Sequence, residues 1–280
     1  MPDLELSWHA AAIIAVCLVL AVPSLRRSPN RFLAGSVPYA QESAIILGLF
    51  VLWQYAGSFA VMGPDGALGR AQWIWHAERV AHLPSETTVQ AFFLPHPLVV
   101  QFFNYYYASL HFPVLVGTMV WLFVRHRDRY AAARTTLVAL TAICLLIQLI
   151  PVAPPRMLPS TGMVDTAIKY GQSVYSATAG FNPDQLSAMP SVHVGWAVLV
   201  PILIIGAART RWRWLWLLYP AATTLIVAVT ANHFWADGIV AAAVLLAVLA
   251  VQHLVTKLRR DTPRYEAIAE KVDVASSRYH

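Results

Sequence analysis

Apolar runs and polar segments alternate along almost the whole chain. A helix needs about 20 apolar residues to cross the hydrocarbon core of a bilayer. Seven runs approach or reach that length: about Trp8–Leu25, Ser43–Met62, Leu98–Val124, Ala131–Val152, Ser191–Ala208, Trp212–Thr230 and Phe234–Val255. The third is long enough to tilt or to protrude. The pattern predicts an all-α polytopic membrane bundle. Residues 1–256 read as one transmembrane domain and 257–280 as a polar tail on the cytoplasmic side.

The polar segments carry their own signals. Between the second and third runs, Trp73, Ile74, Trp75, Val80 and Leu83 recur at roughly helical spacing among His76, Glu78 and Arg79. That is the pattern of an amphipathic helix lying in the membrane interface. A second short helix is expected from Ser85 to Leu94, with Ser85 as N-cap. Such helices can flank a path for lipid. Residues Ala153–Pro190 are too polar to span and too long to be a mere link, and loops of that length are commonly functional. Within them Asp165, Lys169 and Asp184 read first as solvated charges. Arg156 differs, because it falls where the fourth run meets the surface. An arginine there can snorkel to lipid headgroups or hold a phosphate bidentately.

Charge sets the orientation. One set of loops receives Arg26, Arg27, Arg31, then Arg125, Arg127, Arg129, Arg134, then Arg209, Arg211, Arg213, then Lys257, Arg259 and Arg260. The other receives Arg70, Arg79, Arg156 and Lys169. Basic loops stay in the cytoplasm. Seven spans then place the N-terminus outside and the C-terminus inside, with Ala153–Pro190 facing outward. The first run is preceded by Asp3 and Glu5 and followed by arginines, opposite to a secretory signal, so it is read as a retained helix.

Composition agrees. The chain has 280 residues, 58% hydrophobic and 12% charged, with mean hydropathy +0.55. Soluble domains carry roughly twice that charged fraction. The net charge of +6 is therefore read as topology signal, with no nucleic acid as partner. Cys17 and Cys144 lie in apolar runs and read as small buried hydrophobes. The Ala- and Arg-rich composition is of the kind a high-GC bacterium produces, which sets the expectation of a bacterial plasma membrane.

Two polar islands open apolar runs on the same predicted face. One is Ser187-Ala188-Met189-Pro190-Ser191-Val192-His193; the other is Asn232-His233-Phe234-Trp235-Ala236-Asp237. A helix start offers free N–H groups and the positive end of the macrodipole, a natural anion site. We expect the two helix starts to meet across one phosphate. His233 and Asp237 are four apart and share a helix face. A carboxylate beside one imidazole nitrogen fixes the tautomer and leaves the other free as nucleophile or base. His193, from another helix, can serve as general acid. Arg156 and N–H groups near Ser191 can hold the equatorial oxygens in phosphoryl transfer. In the third run Asn104 and His111 are seven apart and share a face. His111 would lie about 20 Å into the run, where polar groups tend to face the bundle interior.

These residues resemble a known family. Pro190-Ser191-Val192-His193 is similar to the second motif, P-S-x-H, of the type 2 phosphatidic acid phosphatase superfamily. His233-Phe234-Trp235-Ala236-Asp237 is similar to its third, H-x-x-x-D. The fuller forms S-x-M-P-S-x-H and N-H-x-x-x-D, and Pro154-Pro155-Arg156, resemble its inositolphosphotransferase branch, which includes inositol phosphorylceramide synthase. The resemblance spans about Asn104 to Ala250.

It implies a six-helix lipid-phosphatase-like core with one added span. It also implies a metal-free, cofactor-free reaction at the extracytoplasmic face. His233 would attack phosphorus, Asp237 would orient it and His193 would protonate the leaving group. Arg156, Ser191 and Asn232 would bind the phosphate, with Asn104 and His111 as further candidates. Two departures stand out. The wider superfamily carries a Lys where this chain has Leu149, and an Arg where it has Val227. Lys169 is a candidate substitute. The lipid phosphate itself, the acceptor and the oligomeric state are left open. So are two other readings, a metal-dependent hydrolase using His193, His233 and Asp237, and a non-catalytic lipid transporter or scaffold.

Overall fold

A computed structural model describes residues 8–56, 66–172 and 185–276. The end of the second predicted span, 57–62, and Asp184 lie outside the described residues. The architecture is an all-α bundle, with no strand among the described residues. Five helices are long and apolar enough to cross a membrane: His9–Arg27, Pro97–Arg125, Arg127–Gln148, Arg211–Val229 and Trp235–Arg259. Two shorter apolar helices, Val37–Leu52 and Val192–Ala207, occupy the places of the second and fifth predicted runs. Outward positions such as Leu20, Phe112, Leu246 and Val251 are 60–70% exposed. Apolar exposure on that scale suits hydrocarbon rather than water.

Helices α1 (Trp8–Arg27) and α3 (Val37–Ala56) form a hairpin around the short α2 (Arg31–Gly35). Asn30 caps α2, its Oδ1 accepting from Phe32 N at 2.9 Å. The hairpin is clipped to the rest at α8 (Arg127–Gln148) by an ion pair between Glu42 and Arg134. Tyr39 also meets the Phe123 ring edge-on at 5.1 Å.

Two helices too short to span follow, α4 (Ala67–Val80) and α5 (Glu86–Phe93). They occupy the predicted amphipathic segment, but α4 presents a different face from the one its apolar residues suggest. Ala67, Ala71, Ile74 and Glu78 are buried, while Trp73 and Val80 are 70% and 63% exposed. Two alanines, Ile74 and one carboxylate therefore make the packed stripe, against Val152, Ala153, Leu158, Ala188 and Phe234.

The long third span is α6 (Pro97–Tyr105), a π-helical stretch Tyr106–Leu110, and α7 (His111–Arg125). The π stretch interrupts the 3.6-residue period, so the seven-residue spacing of Asn104 and His111 no longer implies a common neighbour. After α8 come the one-turn α9 (Thr166–Lys169), α10 (Val192–Ala207), a 3₁₀ stretch Arg211–Leu217, α11 (Leu218–Val229) and α12 (Trp235–Ser276). The segment read as a polar tail thus has helical backbone through Ser276.

Helix α10 is central and packs on α7, α8, α11 and α12. Leu199 meets Leu140, Cys144 and Leu245, while Val200 and Ile204 meet Leu115. The crossing with α12 is close. A Cβ on Gly238 would lie 3.1 Å from Val194 Cγ1, tighter than ordinary van der Waals contact. This absent side chain lets the two motif-bearing helix starts approach each other.

Candidate active site

Each motif histidine is placed by a local backbone device. Ser191 is the N-cap of α10, its Oγ accepting from Val194 N at 3.3 Å. The preceding residues are held against the end of α8. Val152 N donates to Leu186 O at 2.6 Å, Ala188 N donates to Val152 O at 3.1 Å, and Gln148 Nε2 donates to Pro190 O at 2.8 Å. At the end of α11, Ala231 takes φ +55°, a left-handed conformation that L-residues rarely adopt. Asn232 N and His233 N both turn back to Val227 O. That turn aims His233 toward α10. Ser191 N then donates to Asp237 O at 3.0 Å, tying the two motifs directly.

The two motifs share one bond network. His233 is 5% exposed. Its Nδ1 lies 2.7 Å from Ala188 O and 3.3 Å from Asp237 Oδ2. A carbonyl only accepts, so Nδ1 carries the proton and Nε2 the lone pair. Nε2 is buried and has no hydrogen-bond partner among the described residues. The shorter bond comes from the other motif's backbone, so Asp237 is the second partner rather than the sole orienter. Asp237 Oδ2 also accepts from Phe234 N at 2.9 Å. Burial, opposed by the Ala188 bond and aided by the Arg156 charge, brings the His233 pKa down to about 4. The imidazole is therefore neutral at physiological pH.

His193 faces His233 with ring centroids 6.0 Å apart. Reacting atoms approach to about 3–3.5 Å before bond formation, and a general acid works within about 3 Å. A 6 Å separation is therefore of the size that flanks one phosphoryl group. Tyr107 stacks on His193 at 4.4 Å and 26°. His111 lies 5.2 Å from His193 and stands parallel between Trp196 and Tyr219, with Nδ1 2.8 Å from Tyr219 Oη. His111 therefore borders the site through His193.

Arg156 is 4% exposed at its side chain. Its backbone N donates to Ala231 O, Nη1 donates to Asn232 Oδ1, and Nε lies 3.2 Å from Asp165 Oδ2. Asp165 is thus a partner of this arginine, not the solvated charge its sequence context suggests. Asn232 is engaged on both amide atoms, since its Nδ2 also donates to Thr230 Oγ1 at 2.9 Å; it holds the arginine in place. Asn104 is also engaged elsewhere, with Nδ2 donating to Thr166 O and Gln172 Oε1 and Oδ1 accepting from Thr166 Oγ1. It anchors α9. Lys169 is exposed, its ammonium 5.5 Å from the Tyr170 ring; among the described contacts none joins it to either motif histidine. Val227, at the position of the missing family arginine, is buried and supplies only its carbonyl. His193, His233 and Asp237 form no group that could hold a metal ion among the described residues.

A neutral imidazole with no bond to Nε2 among the described residues, a second imidazole with its ring centroid 6.0 Å away and a guanidinium bound to the adjacent Asn232 form a constellation suited to phosphoryl transfer. The family model for the PAP2 superfamily matches residues 72–251, well over half of the 280-residue chain. The chain belongs to the PAP2 superfamily. This PAP2 protein is a phosphatase/phosphotransferase-type enzyme of lipid phosphates, working from a multi-pass helical bundle. No curated protein and no solved structure gives a significant match. Gln148, Asp165, Tyr107 and the Ala188 carbonyl all touch the motifs, yet carry no motif signature of their own. A backbone carbonyl leaves no trace in residue identity. Gln148 offered one weak signal, a polar residue at the end of an apolar run.

Proposed function

We propose that His233 Nε2 is the nucleophile of a covalent phosphoryl transfer at the extracytoplasmic face. The observation that carries this reading is the bond from His233 Nδ1 to Ala188 O, which leaves a buried Nε2 with no partner among the described residues, opposite His193. Nε2 attacks phosphorus and forms the N–P bond as the bond to the leaving oxygen breaks. His193 gives that oxygen its proton. In the second step His193 takes a proton from the incoming hydroxyl, whose oxygen attacks phosphorus and releases the imidazole. Arg156, bound to the adjacent Asn232, supplies positive charge near the ring. Val192 N and His193 N, which make no hydrogen bond among the described residues, offer donors to the equatorial oxygens. The arginine distribution supports the outward orientation.

Water as acceptor gives a phosphatase, and a lipid or polyol hydroxyl gives a transferase. Leu149 and Val227, in place of the cations common in the wider superfamily, favour the inositolphosphotransferase-like branch. The test is incubation of purified protein in EDTA with phospholipids and isoprenoid phosphates, wild type against His233→Ala, following free phosphate and new lipid products together. His233→Ala should lose either product by about 10³-fold or more. Activity unchanged in that variant refutes the covalent mechanism, and activity abolished by EDTA points to a metal instead.

A further inference from the structure

Glu78 and Glu86 take no part in the chemistry above, yet they are 2% and 0% exposed. They arrive from separate helices at the first turn of α12. Phe234 N donates to Asp237 Oδ2 at 2.9 Å, Trp235 N to Glu86 Oε1 at 3.4 Å, and Ala236 N to Glu78 Oε1 at 2.7 Å. Three consecutive N–H groups are thus taken by three carboxyl groups from α12, α5 and α4. The α12 start, expected to receive phosphate, is already occupied by the protein's own acids. Arg79 Nη2 lies 3.0 Å from Glu86 Oε2, 3.8 Å from Glu78 Oε2 and donates to Pro84 O. Trp235 Nε1 also donates to Pro84 O at 2.8 Å. His233 sits one residue before this anchored turn.

A buried cluster of three acids and one guanidinium does not keep all three ionised. Glu78 Oε2 is buried and accepts no hydrogen bond from the described residues. Burial first, and then pairing with Glu86, push Glu78 up to about 9; the Ala236 N–H pulls the other way, while the Glu86 and Asp237 charges push up. Glu78 is therefore neutral near pH 7, and its hydroxyl can donate to Glu86.

We propose that Glu78 and Glu86 are positioning residues, a buried carboxyl pair that clamps the first turn of α12 and so sets the direction of His233 Nε2. The proposal rests on the reading of His233 as nucleophile. It gives the α4–α5 layer a part in positioning the nucleophile, beyond an interfacial anchor alone. Above about pH 9 Glu78 ionises against Glu86 from α5 and Asp237 from α12, with Arg79 as the facing cation. The clamp then loosens.

The test uses the full chain in detergent micelles and orthovanadate, an oxyanion that becomes five-coordinate on a nucleophile, with affinity read by titration calorimetry. Wild type should bind in a manner lost in His233→Ala. Glu78→Ala should weaken binding about tenfold or more. Glu78→Gln keeps an acceptor for Ala236 N and a donor toward Glu86. It should match wild type near pH 7.5 and hold its affinity near pH 9.5, where wild type loses several-fold. Overlap of the Gln and wild-type profiles up to pH 10 overturns the proposal, whether or not Glu78→Ala folds. A His233-dependent affinity indifferent to Glu78 sinks the proposal alone. Wild-type affinity no better than that of His233→Ala removes the underlying reading as well.

Discussion

Acidification should reveal His233 as a histidine that refuses its proton. The ordinary imidazole value is 6.5, and burial with the Arg156 charge brings this one to about 4. The gap of about 2.5 pH units corresponds to about 3 kcal/mol. The sign follows from proton binding. Above pH 6.5 both folded and unfolded states hold a neutral ring, and the group contributes no pH dependence. Between 6.5 and 4 the unfolded chain takes the proton while the folded one does not, so stability falls as pH falls. By pH 4 most of this penalty of about 3 kcal/mol is present, and it levels off below that pH. Two measurements check this. In micelles, ¹³C-labelled histidine followed by NMR should show one ring, absent in His233→Asn, titrating near pH 4. Thermal unfolding from pH 7 to 4 should cost wild type about 3 kcal/mol more than His233→Asn. A His233 midpoint near 6.5, or equal acid sensitivity of the two proteins, refutes the argument. The nucleophile would then be largely protonated in mildly acidic surroundings.

Two further outcomes follow from the packing. Gln148→Leu removes the donor to Pro190 O and Ser187 O. Leaving a buried acceptor unpaired costs about 1–3 kcal/mol, so an unfolding free energy lowered by that amount is expected, and an unchanged one would show that the segment before His193 stands without Gln148. Glu42→Ala leaves Arg134, about a quarter exposed, without its partner. It should destabilise by about 1–3 kcal/mol, while the double change Glu42→Met with Arg134→Met should recover most of the loss in the same unfolding assay, because both charges then leave together.

The catalytic candidates were legible wherever their chemistry is local. His193 follows its N-cap Ser191 by two residues, and His233 precedes Asp237 by one helical turn; both patterns are set by helix starts and survive any tertiary arrangement. Asn104 and Asn232 show the limit of that logic. A polar residue in an apolar run announces a hydrogen bond but not its partner. Both asparagines turn out to be satisfied by the protein itself, through α9 in one case and through Thr230 and Arg156 in the other. Asp165 was misread for the converse reason, since its ion pair with Arg156 depends on how a long loop folds back.

The amphipathic segment shows the same division. Its helices could be predicted from spacing, but not the face that packs. Glu78 is buried against the start of α12, more than 150 residues away, where it takes the Ala236 N–H, a demand invisible from α4 itself. What the amino-acid order determined by itself was the bundle, its apolar spans and the two polar islands. Each depends on periodicity, helix capping and charge within a few residues. Tertiary structure alone decided which atoms face which: the Ala188 carbonyl on His233, the glutamate pair on α12 and the close crossing at Gly238. Those contacts join distant segments, and their geometry exists only once the helices have packed.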